Sequence, residues 1–301
     1  MDSVAWDIAR SRTVPWWKIQ RLYHATCTGA RTENMATKKK AAEIDVATAL
    51  GLLQEAERTT TPIPPFSSVD PSFDVARAYE VQRLGIADKL ASGDRVRGHK
   101  VGLTSAALQQ MVGVDEPDYG VVLESTVFES DEPVGVADMI SPRVEAEIAF
   151  VLDRPLRGPG IRPLDVLAAT RWVIPSLEII DSRIADWKIG LVDTVADNAS
   201  CGKIVLGTAT TAPGGFDLRL VGMAMYRNGV LFNTGAGAAA LGHPANAIAW
   251  LVNKFAELGE GIAAGELVMP GALSAPVLDI VPGDVVTAEF DRLGSVTARF
   301  V

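Results

Sequence analysis

The amino-acid sequence predicts an α+β fold with a mixed, curled sheet, and three observations lead there. Between about Ala41 and Gly93, apolar residues recur at helical spacing. After Gly98 the texture changes to short apolar runs separated by glycines and turn pairs, which read as strands. Few long helices interrupt that second part. At 301 residues the chain can form one large domain or two smaller ones with a substantial core.

Residues 1–40 differ from the rest. They carry Trp6, Trp16, Trp17 and several arginines without a clear period, and end at Lys38-Lys39-Lys40. Met35-Ala36-Thr37 reads like an ordinary protein start, while Asp2, Asp7 and Glu33 speak against a transit peptide. The expectation is a largely disordered extension over 1–40, a helical lead-in over 41–97 and a strand-rich domain over 98–301. The first helix is built on Ile44, Val46, Ala49, Leu50, Leu53 and Ala56, and Thr59-Thr60-Thr61-Pro62 ends it. A second runs from near Asp74 to Gly93 on Ala78, Val81, Leu84 and Leu90.

Val101 to Leu103 is strand-like, and Ser105 can cap a short helix through Met111 that stops at Gly113. Glu116-Pro117-Asp118-Tyr119-Gly120 reads as a turn before the apolar Val121-Val122-Leu123. A helix is expected over Pro163 to Ala169, and strands over Val173 to Ile180 and Lys203 to Leu206. Asn228-Gly229 marks a hairpin turn after Leu218 to Tyr226. Pro244 to Leu258 has proline in its first turn, Ile248, Leu251, Val252 and Phe255 on one face and Gly259 beyond its end, an amphipathic helix. Turns at Pro282-Gly283-Asp284 and Asp291 to Gly294 divide an alternating tail.

Composition narrows the functional classes. A hydrophobic content of 48% with 22% charged residues is that of an ordinary soluble globular protein. A net charge of -9 argues against a nucleic-acid surface. No apolar run reaches the roughly 18–20 residues of a membrane helix. Cys27 and Cys201 are too few for a disulfide framework, which makes a reducing cytoplasm the default. Three histidines, His24, His99 and His243, leave little material for a His-based metal site.

The most informative segment is Arg143 to Leu152, where Glu145 and Glu147 interrupt an otherwise buried strand. Alternation puts both on one face, with Cα atoms roughly 6.5–7 Å apart. Val144, Ala146, Ile148 and Phe150 take the other face. The spacing also fits the wet face of an antiparallel edge. Glu178 tilts the balance, because it is the lone charge in Trp172 to Ile180. Carboxylates in apolar company repel one another and lose hydration, and a divalent cation is the simplest compensation. Three acids without neighbouring Cys or His form an all-oxygen set suited to Mg2+ or Mn2+ rather than Zn2+.

Other motifs are weaker. Gly235-Ala236-Gly237-Ala238-Ala239-Ala240 meets a loose dinucleotide pattern, but no βαβ unit surrounds it, so close backbone packing explains it better. Lys100, on a glycine-flanked strand entry, can neutralise a carboxylate or move protons, or be an exposed strand-end lysine. Asp193 to Gly202 is dense in small polar groups that can face an anionic ligand, or is a plain polar loop. Cys201 has no basic partner nearby, which argues against a nucleophile, and His243 before Pro244 caps or packs.

Five segments occur in one order: Gly98 to Thr104, Gly113 to Gly120, Pro142 to Phe150, Glu178 to Arg183 and Asp193 to Gly202. The series closely resembles the 2-keto-4-pentenoate hydratase and 4-oxalocrotonate decarboxylase family of the fumarylacetoacetase superfamily, over about Ala41 to Val301. The resemblance implies a mixed β-roll, like the fumarylacetoacetase C-terminal domain, behind a small N-terminal helical segment. It implies Mg2+ or Mn2+ on Glu145, Glu147 and Glu178, active-site roles for Lys100 and Asp118, and substrate-carboxylate contact by Ser200. It also implies a homo-oligomer, a pentamer or decamer, with association with neighbouring pathway enzymes as a further option.

The activity so implied is hydration of a 2-hydroxy-2,4-dienoate, the product of aromatic or steroid meta-cleavage, to a 4-hydroxy-2-oxo acid. Decarboxylation of a 2-oxo-3-enedioate is the alternative, which Asp118 would disfavour by repelling the second carboxylate. Acylpyruvate hydrolysis would need a His-Glu pair that the sequence does not display. A non-catalytic partner subunit would be expected to lose a ligand or Lys100, and all are retained.

Overall fold

The computed structural model describes residues 43–105, 109–110 and 113–301. The extension expected over 1–40 and parts of the short helix expected between Ser105 and Met111 lie outside the described residues.

Three helices form the lead-in. Helix α1, Val46–Thr59, starts where the Asp45 side chain accepts from Thr48 N, and buries Ala49, Leu53 and Ala56. A short α2, Phe66–Val69, buries Phe66. Helix α3, Val75–Ala91, is capped by Asp74, which accepts from Arg77 N. Their apolar faces meet in a small core with Phe73, Ile184, Val195 and Ala196.

The strands are β1 Val96–Gly102, β2 Asp118–Leu123, β3 Val127–Glu129, β4 Pro133–Val134, β5 Arg143–Leu152, β6 Thr170–Ile180, β7 Cys201–Leu206, β8 Gly222–Arg227, β9 Val230–Ala236, β10 Leu267–Met269, β11 Val285–Phe290 and β12 Gly294–Phe300. They form a seven-stranded sheet, ordered β2-β1-β10-β5-β6-β7-β3, and a five-stranded sheet, ordered β4-β12-β11-β8-β9. Both are mixed: β1 with β10, β3 with β7 and β4 with β12 are parallel, and the remaining pairs antiparallel. The expected mixed β-roll of the α+β class is the observed architecture.

Helix α4, Pro163–Ala169, spans the expected residues. Helix α5, Leu191–Ala196, was not expected within its polar stretch. Helix α6, Pro244–Ala256, ends two residues short of the expected Leu258, and His243 Nδ1 accepts from Ala245 N as its N-cap. The main core joins Val144, Ala146, Ile148 and Phe150 of β5 to Val286, Ala288, Val296 and Ala298 of the second sheet and to Ile248, Leu251 and Phe255 of α6.

Two local readings change. Asp118 is not in a turn but is the first residue of β2, paired with Gly102 of β1. Leu218–Leu220 is a 3-10 turn, so the hairpin around Asn228-Gly229 begins only at Gly222. The Gly/Ala loop does pack against backbone: side chains at Gly235 and Gly237 would overlap the carbonyls of Leu273 and Leu218. Among the described residues no helix is long and apolar enough to cross a membrane.

Candidate active site

The central strands fix the acidic cluster by register. Glu145 of β5 lies opposite Glu178 of β6, and Glu147 opposite Ser176. Alternation therefore puts all three glutamates on one face. It is the sheet face away from the main core, shared with Ala149, Ile174, Ile204 and Met269. One carboxylate oxygen from each of Glu145, Glu147 and Glu178 lies within 4.8 Å of the others. The wet-edge alternative fails, because Glu147 and Glu178 are buried and Glu145 half-buried, in the middle of a seven-stranded sheet.

The protein compensates these acids only in part, chiefly through Lys100. Gly271 N donates to Glu147 Oε2 at 2.8 Å. Glu147 Oε1 and both oxygens of Glu178 have no hydrogen-bond partner. Orphaned buried oxygens are costly, and such a group is held either by a proton or by a cation. Burial, reinforced by Glu178, pushes Glu145 up to about 7. Burial, with Glu178 and Glu145 adding to it, raises Glu147 well above the usual carboxylate range. Glu178 is also raised by burial, although Lys100 opposes the shift. Hard, mutually repelling oxygens with free lone pairs fit a divalent cation such as Mg2+ or Mn2+.

Lys100 is buried, not an exposed strand-end lysine. Its Nζ donates to Ala199 O at 2.8 Å and stands 3.4 Å from Glu178 Oε1. Burial works against its charge, but Glu178 and Asp118 outweigh that and hold the ammonium protonated. Asp118 is buried beside it: both side chains crowd the space where Gly102 would carry a Cβ. Thr194 Oγ1 donates to Asp118 Oδ2 at 3.0 Å, leaving Oδ1 without a partner. Burial raises the pKa of Asp118, with Lys100 and Thr194 pulling the other way. Ser200 Oγ is buried and unpartnered next to the carbonyl that holds Lys100.

Glu145, Glu147, Glu178, Lys100 and Asp118 thus share one face of the sheet, and the 3-10 turn Asn198–Ser200 places Ser200 next to Ala199, the partner of Lys100. The groups that sequence reasoning missed are Thr194, Asn198 and the Gly271 N–H; the first two lay in a segment also readable as a plain polar loop, and a backbone donor has no letter of its own. Cys201 is no nucleophile: burial and then Glu178 push its thiol up to about 12. A His-Glu pair does exist, His99 Nε2 to Glu266 Oε2 at 3.5 Å. As the neighbour of Lys100 in β1, His99 takes the opposite face, where its ring meets Phe255 edge-on at 4.8 Å.

Residues 89–301 match the fumarylacetoacetate (FAA) hydrolase C-terminal family. The chain is 44% identical over 248 residues to a 2-keto-4-pentenoate hydratase of Paraburkholderia xenovorans (strain LB400), covering 82% of this chain and 92% of that protein. It is 42% identical over 250 residues to a 2-hydroxyhexa-2,4-dienoate hydratase of Comamonas testosteroni, with coverage of 82% and 94%. Among solved structures, the 4-oxalocrotonate decarboxylase from Pseudomonas putida G7 complexed with magnesium and adipate superposes with a TM-score of 0.82 at 38% identity, covering 86% of this chain and 99% of that one.

Proposed function

The chain belongs to the fumarylacetoacetate hydrolase C-terminal family, and from that premise we propose that it is a hydro-lyase adding water to a 2-hydroxy-2,4-dienoate. The observation that carries this reading is the convergence of three glutamates, two buried and one half-buried, with three oxygens that accept no hydrogen bond, beside a pinned Lys100 and a half-free Asp118. In this reading Glu145, Glu147 and Glu178 hold Mg2+ or Mn2+. A bound divalent ion supplies a Lewis acid for the carboxylate and C2 oxygen of a 2-oxo acid, stabilising negative charge at C2.

The chain's own groups perform the remaining work. Ser200 Oγ, free of any protein partner, donates to the substrate carboxylate. The ammonium of Lys100 places positive charge beside the anionic end of the substrate. Lys100 and Asp118 carry the proton transfers: a proton is delivered at C5 of the dienol, and water, losing a proton, adds at C4. The sum is substrate plus one water, giving a 4-hydroxy-2-oxo acid. Asp118 Oδ1 is the oxygen available to orient that water, since Thr194 holds Oδ2.

Decarboxylation of a 2-oxo-3-enedioate is the second reading, favoured by the likeness to the decarboxylase structure. In this reading the carboxylate of Asp118, buried beside Lys100, would repel the second carboxylate of such a substrate, which weighs against it. Assays with 2-hydroxypenta-2,4-dienoate and with a 2-oxo-3-enedioate, scored for hydration and for CO2 release, separate the two. Turnover of the dienoate that persists in chelator-treated protein would refute the metal-dependent hydratase. Release of CO2 as the faster reaction, with Asp118→Ala without effect, would favour the decarboxylase. A pentamer or decamer forms part of the same reading, and light scattering tests it.

A further inference from the structure

We infer that Asn198 and Gly120 are positioning residues that hold Lys100 in the catalytic site, an inference that rests on the hydratase reading for its kinetic consequence. Asn198, Ala199 and Ser200 have φ of 54°, 51° and 53°, three successive non-glycine residues in the left-handed region. Each such residue carries steric strain, which persists only where the surroundings enforce it.

The enforcing contacts are specific. The Asn198 side chain imitates a neighbouring strand against the edge of the sheet: Val121 N donates to its Oδ1 at 2.8 Å, and its Nδ2 donates to Val121 O at 2.9 Å. Gly120, adjacent in β2 and opposite Lys100 in the β1–β2 register, has no side chain because Asn198 O fills that space. The turn is also tied by the half-buried Arg183 paired with the buried Asp197, and the Arg183 backbone N–H donates to Asp197 Oδ2 at 3.0 Å. The strain therefore secures one result: Ala199 O is brought 2.8 Å from Lys100 Nζ, and Ser200 Oγ is left buried and free. An ordinary right-handed turn would direct that carbonyl elsewhere. None of these contacts reaches Glu145, Glu147 or Glu178 directly; the turn meets the acidic cluster only through Lys100, which stands 3.4 Å from Glu178 Oε1.

The test compares Asn198→Ala and Gly120→Ala with wild type by two readouts, both taken below the measured Tm of each variant. The first is competitive acetylation of lysine amines, read by mass spectrometry with Lys203 and Lys254 as internal references. Relative labelling of Lys100 should rise about tenfold in either variant as its ammonium loses its anchor. The second is turnover of 2-hydroxypenta-2,4-dienoate, where kcat should fall about tenfold with KM unchanged, and this loss should vanish in a Lys100→Arg background. Unchanged relative labelling of Lys100 in both variants overturns the inference, as does an equal kcat loss in the Lys100→Arg background. If wild type does not hydrate the dienoate, the hydratase reading fails while the labelling still decides whether the turn positions Lys100.

Discussion

The two faces of β5 obey opposite rules. Val144, Ala146, Ile148 and Phe150 point into the main core with no accessible surface, each adding burial that stabilises the fold. Glu145 and Glu147, one residue away on the same strand, point into a cluster whose acids are destabilised by burial and by one another. A strand with apolar residues on both faces would be more stable, so the acidic face trades stability for a task. Substitutions on the two faces should therefore fail in different ways.

The largest effect is expected from Glu178→Gln, which keeps volume but removes the carboxylate nearest Lys100. Turnover of 2-hydroxypenta-2,4-dienoate should fall by about a thousandfold, with Mn2+ affinity reduced by calorimetry, while the metal-free protein stays folded. Turnover within about tenfold of wild type would remove the glutamate cluster from the mechanism. On the other face, Ile148→Ala should cost about 2–5 kcal/mol in urea unfolding, with kcat of the folded protein near wild type. A larger loss in kcat than in stability for Ile148→Ala would collapse the distinction between the faces.

Much of that distinction was legible in the sequence. Period-two alternation gave the facing of Glu145 and Glu147 without any structure, and the apolar company of Glu178 marked it as buried. Proline at the start of α4 and the His243-Pro244 step at the start of α6 announced both helix entries. What stayed hidden is non-local. Asp118 follows Pro117 among turn-forming residues, and only pairing with β1 makes it a strand residue. Lys100 looks exposed because the Asp197–Ser200 turn that covers it lies about a hundred residues away. The parallel pairing of β1 with β10 joins segments still farther apart, which no local pattern can announce.

The pH dependence of the metal-free protein should sharpen the comparison further. Burial, then Glu178, raises Glu145 from 4.5 to about 7, and Glu147 and Glu178 move in the same direction. The folded state then binds these protons more tightly than the unfolded state. Their contribution is complete below the unfolded pKa and is lost as pH rises through the folded one. Asp197, raised to about 6 by burial, adds to the same trend. The urea midpoint should thus fall from pH 5 to pH 8, and added Mg2+ should raise it most at pH 8, where no proton competes. A midpoint that rises over this interval in the absence of metal would contradict the buried, only partly compensated acids.

The smallest effect, and the finest test of the division, is expected from Thr194→Val. Thr194 is buried, and valine differs from it chiefly by the missing hydroxyl. The lost group is the hydroxyl that donates to Asp118 Oδ2 at 3.0 Å. Without it, Asp118 can turn either oxygen toward the substrate, and its acidity falls because a partner that favoured the charged form is gone. The expected cost is about 1–2 kcal/mol in the transition state, roughly a five- to thirtyfold loss in kcat, with a smaller change in the urea midpoint. The pH profile of kcat should move to higher pH by the same cause. If instead the midpoint drops by more than the kcat loss accounts for, Thr194 serves the fold of α5 rather than the orientation of Asp118. The polar face would then be structural at that point, and the contrast between the two faces would end at Asp118.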